Sequence, residues 1–299
     1  MLNSRKFKKG LRKNIKGYLF ISPWLVGFSV FSLYAIGSAI YYSFCKYSVF
    51  KPPQWIGLVN YRTIFTDDPL FSKSLYNTAY YSILAILLGI TVAFLLAILL
   101  NQKVRGLSVF RAIFYIPSIT PIVASSVLWL WVLNQYGLLN IFLNYLGIKG
   151  PAWLTNPAWS KFSLVLMSVW ASGGTMIIFL AGLQGVPQQL YEAAELDGAG
   201  IWHKFRHVTI PIMTPVIFFN LIMGIIGSFQ VFVQAFIMTE GGPADSTLFY
   251  VLYLYHNAFS YYKMGYAAAL AIILFVIILS LSLIIFSTSK KWVHYGTGR

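Results

Sequence analysis

Acidic residues are scarce in this chain. Only 7 Asp and Glu stand against 22 Lys and Arg in 299 residues, and 10% of the chain is charged. Soluble domains carry about a quarter. Cysteine is rarer still. A single one, Cys45, excludes an internal disulfide and any cysteine-based metal site. No Gly-x4-Gly-Lys-Ser/Thr phosphate loop occurs, so the chain does not hydrolyse ATP alone, and no His-Glu-x2-His pair offers a zinc site. His203 and His207 share a helix face, but they lack a third ligand and stand beside Lys204 and Arg206, as on a solvated face. Serines such as Ser172 have no His or Asp at the same depth, so a serine hydrolase would have no base. The chain is expected to hold no catalytic residue, no metal and no cofactor of its own.

What it has is apolar length. Hydrophobic residues make up 58% of the chain and the mean hydropathy is +0.71, which marks an integral membrane protein. Residues 1–17 hold seven Lys and Arg and no acid, a basic tail that reads as a topogenic signal or as a lipid- or partner-binding segment. Residues 17–45 then carry no charge. A cleaved signal peptide has an apolar core of about 7–15 residues, so this run predicts an uncleaved first helix, about 18–44. Further uncharged runs fall at 74–102, 112–148, 162–191, 207–239 and 264–289. Each exceeds the roughly 20 residues that cross a bilayer. Trimmed at turn signals, they predict helices near 75–100, 110–133, 163–185, 212–238 and 266–288. The expectation is one all-α membrane domain of six spans, with both ends on one side.

Charge sets the side. With the N-terminus inside, the inner segments hold Arg5, Lys6, Lys8, Lys9, Arg12, Lys13, Lys16, Lys103, Arg105, Arg111, Lys204, Arg206, Lys290, Lys291 and Arg299. The outer segments hold Lys46, Lys51, Arg62, Lys73, Lys149, Lys161 and Lys263. Fifteen against seven agrees with the positive-inside rule and puts both termini in the cytoplasm. A net charge of +15 would suggest nucleic acid in a soluble protein, but clustering at span ends points to membrane lipid instead. The outer loops carry only turn signals: Lys51-Pro-Pro53, Asp67-Asp-Pro69, Lys149-Gly-Pro151, Asn156-Pro157 and Glu240-Gly-Gly-Pro243. Trp55, Tyr61, Tyr80, Tyr81, Trp153, Trp159, Tyr261 and Tyr262 crowd span ends, as interfacial belts do.

The most polar interval inside this apolar chain runs from Tyr191 to Gly200 and on through His203 and His207 to Pro211. Three of the seven acids, Glu192, Glu195 and Asp197, lie in it. Pro187 suits the first turn of a helix. Leu190, Ala193 and Ala194 would form its apolar face, and Gly198 and Gly200 would stop it. A second short helix, about Ile201 to Val208, is expected before Pro211. Glu192-Ala193-Ala194, three residues, Gly198, nine residues, then Val208, one residue, Ile210-Pro211 resembles the EAA signature of permease subunits of binding-protein-dependent ABC importers. Val208 and Ile210 depart mildly from the usual Ile and Leu. Ile21 to Gly27, Gly57 to Tyr61, Arg105 to Arg111 with Pro117, Pro151-Ala-Trp153, Thr239 to Pro243 and Met264 to Ala268 resemble the carbohydrate-type permeases, in particular the first permease of maltose-, glycerol-phosphate- and oligosaccharide-type transporters.

The resemblance implies the type I ABC importer permease fold. Its core would be about 75–288 within a domain 18–288, with a coupling loop 186–211 and a cytoplasmic tail 289–299. It implies a heterodimer with a second permease, two ATPase subunits that bind ATP and Mg, and an extracytoplasmic sugar-binding protein, in a bacterial or archaeal cytoplasmic membrane. Glu192, Ala193, Ala194, Asp197, Gly198 and Pro211 would then form the ATPase-coupling element. The other reading, from a different class, is a stand-alone membrane facilitator or membrane enzyme acting on a polar substrate.

Apart from Arg111 at the inner end of the third, no span contains Asp, Glu, Lys or Arg, which argues against coupling to protons or sodium. A sugar crossing the bilayer needs neutral hydrogen-bond partners, since each unpaired hydroxyl costs on the order of 1–3 kcal/mol. The candidates at membrane depth are Ser118 and Thr120, Ser172 and Thr175, then Asn220, Gly227, Ser228, Gln230 and Gln234. Gln230 and Gln234 are four apart and would share a helix face beside the space left by Gly227. Any of these groups could instead bond to backbone or to a partner. Pro117 and Pro121 predict a kink in the third span, at a substrate path or in a merely bent helix. Gly89, Ala93 and Ala97, and Gly224 with Ser228, are spaced for close helix approach, within the chain or across a subunit contact.

Overall fold

The computed structural model describes residues 15–102 and 105–294. Residues 1–14 of the basic tail expected at 1–17, Lys103 and the end of the C-terminal tail, including Arg299, lie outside the described residues. The chain divides into two compact units, Met1–Asp67 with Asn257–Ile273, and Asp68–His256 with Leu274–Arg299.

In the first unit, α1 (Ile15–Gly27), a wide turn (Phe28–Leu33) and α2 (Tyr34–Ser43) make one apolar helix, Gly17–Ser43, whose apolar window buries nothing. Pro23 has no N–H to offer the Leu19 carbonyl. The Ser22 hydroxyl donates to that oxygen instead, at 2.8 Å, so the helix continues through the proline. The Lys51-Pro-Pro53 stretch, read above as a turn, lies in a strand. β1 (Cys45–Ser48) pairs antiparallel with β2 (Lys51–Trp55), Cys45 opposite Trp55. A two-stranded ribbon leaves one side of β2 an edge, where a missing N–H costs no ladder bond. After it, α3 (Val59–Thr66) is locked to the hairpin. Asn60 donates to the Ser43 and Cys45 carbonyls (2.8 and 3.0 Å), and the Tyr61 hydroxyl donates to Ser43 Oγ (2.8 Å).

In the second unit the first long helix starts six residues earlier than expected. Asp67-Asp-Pro69 is a helix start rather than a loop. Asp68 caps α4 (Pro69–Leu100) by accepting from the Leu70 and Phe71 N–H groups, with Pro69 at the first helical turn. The third expected span is two helices, α5 (Leu107–Ile119) and α6 (Ile122–Val132), bent by 101° at Thr120-Pro121. A short α7 (Leu138–Tyr145) follows. The fourth is α8 (Pro157–Trp170) and α9 (Gly173–Gln184), bent by 45°. The fifth was expected over 212–238. Instead an unbroken helix runs Ile201–Ser228, then Phe229 to Phe232 leave regular structure before α13 (Val233–Met238). Within that helix lie α11 (Ile201–Lys204), a wide turn (Phe205–Thr209) and α12 (Ile210–Ser228), with α10 (Gln188–Leu196) before it. α14 (Tyr250–Tyr255) precedes the last helix, α15 (Met264–Ser289), which matches the expected 266–288. Among the described residues four helices are long and apolar enough to cross a membrane, or six if each bent pair is one span.

The core of this unit packs Ala93 and Ala97 of α4 against Phe179, Leu180 and Leu183 of α9 and Met213 of α12. The small-residue spacing on α4 therefore serves packing within the chain at those two positions. Two aromatic residues assigned above to the interfacial belt are interior instead. Tyr81 is buried, and Trp153 is buried with its indole N–H on Asn140 Oδ1 at 2.7 Å. One end of α4 grips the 239–250 segment. Asn77 donates to the Asp245 carbonyl (2.8 Å), Thr78 Oγ1 accepts from the Tyr250 N–H (2.8 Å), and Ser160 and Ser246 hydroxyls meet at 2.7 Å. Burial pushes the Tyr250 phenol up from its ordinary value. At the other end of the chain, His294 N–H donates to Thr214 Oγ1 at 2.9 Å and Trp292 packs edge-on to Phe218.

Candidate functional site

Three helix breaks in the second unit border one cavity of about 430 Å³. Ile122 follows the Thr120-Pro121 bend, Ala171 and Ser172 form the α8–α9 bend, and Gln230, Val231 and Phe232 are the unwound stretch after α12. Irregular backbone at membrane depth is tolerated where it lines a cavity, because its polar groups then find partners there. Of the expected path residues, Ser172, Thr175, Gly227, Ser228, Gln230 and Gln234 line the cavity, and so does Asn220. Ser118 and Thr120 do not. Their hydroxyls turn back onto the Tyr115 and Ile116 carbonyls at 2.7 and 3.0 Å, and Ser118 sits against Gly174.

The reason given for pairing Gln230 with Gln234 is corrected by the structure. They do not share a helix face, because the helix ends at Ser228 and resumes at Val233. They reach the same cavity by different routes. Gln230 lies in the break with its amide N–H on the Ile226 carbonyl (2.8 Å), and Gln234 reaches from α13 toward the Tyr81 hydroxyl (3.5 Å). Asn220 likewise binds its N–H to the Val216 carbonyl (2.8 Å), which leaves its carbonyl oxygen available. Gly227 opens the space expected of it, with nothing within 4 Å of an added Cβ. Tyr81 and Ser168 complete the polar wall, and neither was expected. Tyr81 stood at a span end in the sequence, where a belt reading competes. Among the described residues no charged side chain lines the cavity. The wall offers hydroxyls and amides, which exchange hydrogen bonds with a neutral polar molecule, and aromatic and aliphatic faces beside them.

The polar loop is the second site. α10 ends in a six-to-one turn, with Ala199 N–H on the Ala194 carbonyl at 2.8 Å. Gly198 holds φ +77° there, as expected of the glycine that stops this helix. Pro187 is the residue before the helix rather than its first turn. The expected apolar face is also corrected. Leu190 and Ala193 are exposed. The side that packs carries Tyr191, whose hydroxyl meets Thr209 Oγ1 at 2.9 Å and whose ring lies on the α4–α9 core. The second helix does not stop before Pro211 but runs through it. Phe205–Thr209 widens just ahead of Pro211, where a proline removes one bond and crowds the carbonyl four residues back. The Thr214 hydroxyl donates to the Pro211 carbonyl, which Pro215 cannot serve, at 2.6 Å.

On the open side, Glu195 is paired with Lys204 at 2.6 Å, while Glu192, Ala193, Asp197 and Gly198 are exposed; Ala194 and Pro211 are half-buried. Around the Gly turn stand Leu196 (91% exposed), Ile201 (86%) and Trp202 (68%). These three were not singled out from the sequence, although apolar residues flanking a polar glycine turn were the visible signal. His203 and His207 stack at 5.4 Å on the exposed helix face. Among the described residues no group of three or more His, Cys, Asp or Glu could hold a metal ion.

Broken helices around an uncharged cavity, with an exposed helix–turn–helix joined to the same bundle, define the membrane component of a transporter. The model of the family described as "binding-protein-dependent transport system inner membrane component" matches residues 85–291. The chain is 41% identical over 298 residues to a probable ABC transporter permease protein, YesP, of Bacillus subtilis (strain 168), covering 98% of this chain and 96% of that one. It is 36% identical over 291 residues to the arabinooligosaccharides transport system permease protein AraP of the same organism, covering 95% and 91%. A crystal structure of a bacterial ABC transporter involved in the import of the acidic polysaccharide alginate shares the fold, with a TM-score of 0.83 at 24% identity over 96% of this chain and 99% of that one. The chain belongs to the binding-protein-dependent transport system inner membrane component family. It is a permease subunit of an ABC importer, not an enzyme, and the reading as a stand-alone facilitator or membrane enzyme is set aside.

Proposed function

We propose that the chain is one of two different permeases of a sugar importer and that carbohydrate passes through the cavity bordered by Ser172, Thr175, Gly227, Ser228, Gln230 and Gln234. The observation that carries this is the meeting of three helix breaks on one polar, uncharged cavity. Breaks of this kind supply both a lining of neutral hydrogen-bond groups and hinges for alternating access. The name of the arabinooligosaccharide relative supports a saccharide cargo. The loop from Glu192 to Pro211 would dock on an ATPase subunit, with Leu196, Ile201 and Trp202 as its apolar contacts and Glu192 and Asp197 on its rim. ATP and Mg would be bound by two such subunits, and an extracytoplasmic sugar-binding protein would deliver the substrate. The positive-inside count supports cytoplasmic termini. The long apolar helix Gly17–Ser43, which buries none of its apolar window, offers a face to lipid or to the second permease.

The test is Gln230→Leu and Gln234→Leu, singly and together. Each is expected to reduce uptake while leaving assembly and unstimulated ATP hydrolysis in place. Normal uptake with unchanged sugar selectivity in the double variant would place the path elsewhere.

A further inference from the structure

A second cavity, of about 510 Å³, lies wholly in the first unit and shares no residue with the transport cavity. Its walls are the β1–β2 hairpin, α3 and the start of α15. Lys46, Lys51 and Lys263 line it, and no Asp or Glu does. Residues 44–66 and 257–266 contain no acid at all. The two ion pairs among the described residues, Lys73 with Asp245 and Lys204 with Glu195, involve none of the three lysines. Three cations are thus held around one hollow with no protein anion to neutralise them.

The frame is rigid. The Asn60 amide ties α3 to the hairpin, and Gly265 lets the Cys45 carbonyl approach the start of α15 more closely than a Cβ would allow. Tyr262, the residue before Lys263, holds φ +55°, a conformation that a bulky side chain adopts only under constraint, with its ring edge-on to Phe50 at 5.2 Å. The rim also fixes the depth. Phe50, Trp55, Val59 and Tyr262 are exposed around the hollow, at the end of the first apolar helix and the start of the last. Aromatic side chains in that position mark the headgroup layer of a bilayer. An oxyanion at this depth, with apolar surface beside it for acyl chains, is a phospholipid phosphate.

We propose that this hollow binds the phosphate headgroup of an anionic phospholipid, with Lys46, Lys51 and Lys263 as its ligands. The proposal is independent of the sugar path. A lysine near an anionic membrane contributes about fivefold in affinity, so removing three predicts a loss of about a hundredfold. The test uses the full transporter with its partner subunits in phosphatidylcholine nanodiscs, with phosphatidylglycerol titrated in and lipid retention counted by native mass spectrometry. Wild type should retain phosphatidylglycerol over phosphatidylcholine. The triple variant Lys46→Gln, Lys51→Gln, Lys263→Gln should lose that preference about a hundredfold. The triple Lys→Arg variant should keep it, which separates charge from folding, and so should Lys149→Gln, which removes a charge outside the hollow. Equal retention by wild type and the glutamine triple overturns the proposal. So does a third result: inorganic phosphate bound with the same lysine dependence while phosphatidylglycerol is not retained, which would assign the hollow to a soluble oxyanion.

Discussion

Gly173 stands where α9 meets α5, and a methyl group there would strike backbone on both counts: the Phe114 carbonyl oxygen and the Tyr115 Cα, the latter at 3.0 Å. Carbon atoms rest about 3.5 Å apart or more, so Tyr115 must retreat by about 0.5 Å and Phe114 further. Neither atom can rotate aside as a side chain would. The helix α5 must shift as a body, and overpacking of that kind costs about 1–3 kcal/mol. Alanine also returns up to about 1 kcal/mol of helix propensity, which would mask part of the cost. The adjacent glycine removes this ambiguity. A Cβ on Gly174 meets only Ser118 side-chain atoms, at 3.8 Å, an ordinary contact. Gly174→Ala therefore carries the same propensity gain without the collision, and the difference between the two variants isolates the clash. Gly173→Ala should be the less stable by about 1–3 kcal/mol. At about 2–4 °C per kcal/mol for a chain of this size, the gap in Tm is several degrees. The assay is thermal unfolding of the assembled transporter in detergent, with uptake measured in parallel because Ser172 and Thr175, which line the cavity, stand beside Gly173. Equal midpoints, or a lower one for Gly174→Ala, would refute the close approach of α9 to the α5 backbone.

Two further outcomes follow from the coupling loop and the charge distribution. Proline fixes φ near −65°, so Gly198→Pro cannot hold the +77° turn and also removes the N–H that donates to the Glu195 carbonyl. With Glu192→Lys, which reverses an exposed rim charge, it should leave the protein in the membrane but abolish substrate-stimulated ATP hydrolysis; unchanged stimulation in both would sink the docking role. In a background with the buried Cys45 replaced, a cysteine at Asp245 or Asn156 should react with an impermeant thiol reagent from outside and one at Gln188 should not. Labelling at Gln188 in sealed cells would reverse the orientation.

Composition and run length by themselves determined the membrane class, the approximate spans and the polar loop. Crossing a bilayer needs uncharged length, and each such run is read locally, one residue after another. Gly198 was legible for the same reason: a left-handed turn is a property of one residue. Pro121 was legible as a break, but its size was not, since a proline permits many angles and packing selects 101°. The break at Phe229 to Phe232 left no trace, because an uncharged aromatic stretch inside an apolar run looks like more helix. The contacts at its far end come from elsewhere in the chain: Phe232 packs on Tyr255, and Gln234, two residues on, reaches Tyr81 on α4. Tertiary structure alone brought Gln230 and Gln234 to one cavity and turned Ser118 away from it. It also gathered Lys46, Lys51 and Lys263, 217 residues apart at the extremes, around one hollow. Side chains far apart in the chain meet only after the helices have broken and packed, and periodicity along one strand of sequence carries no record of that meeting.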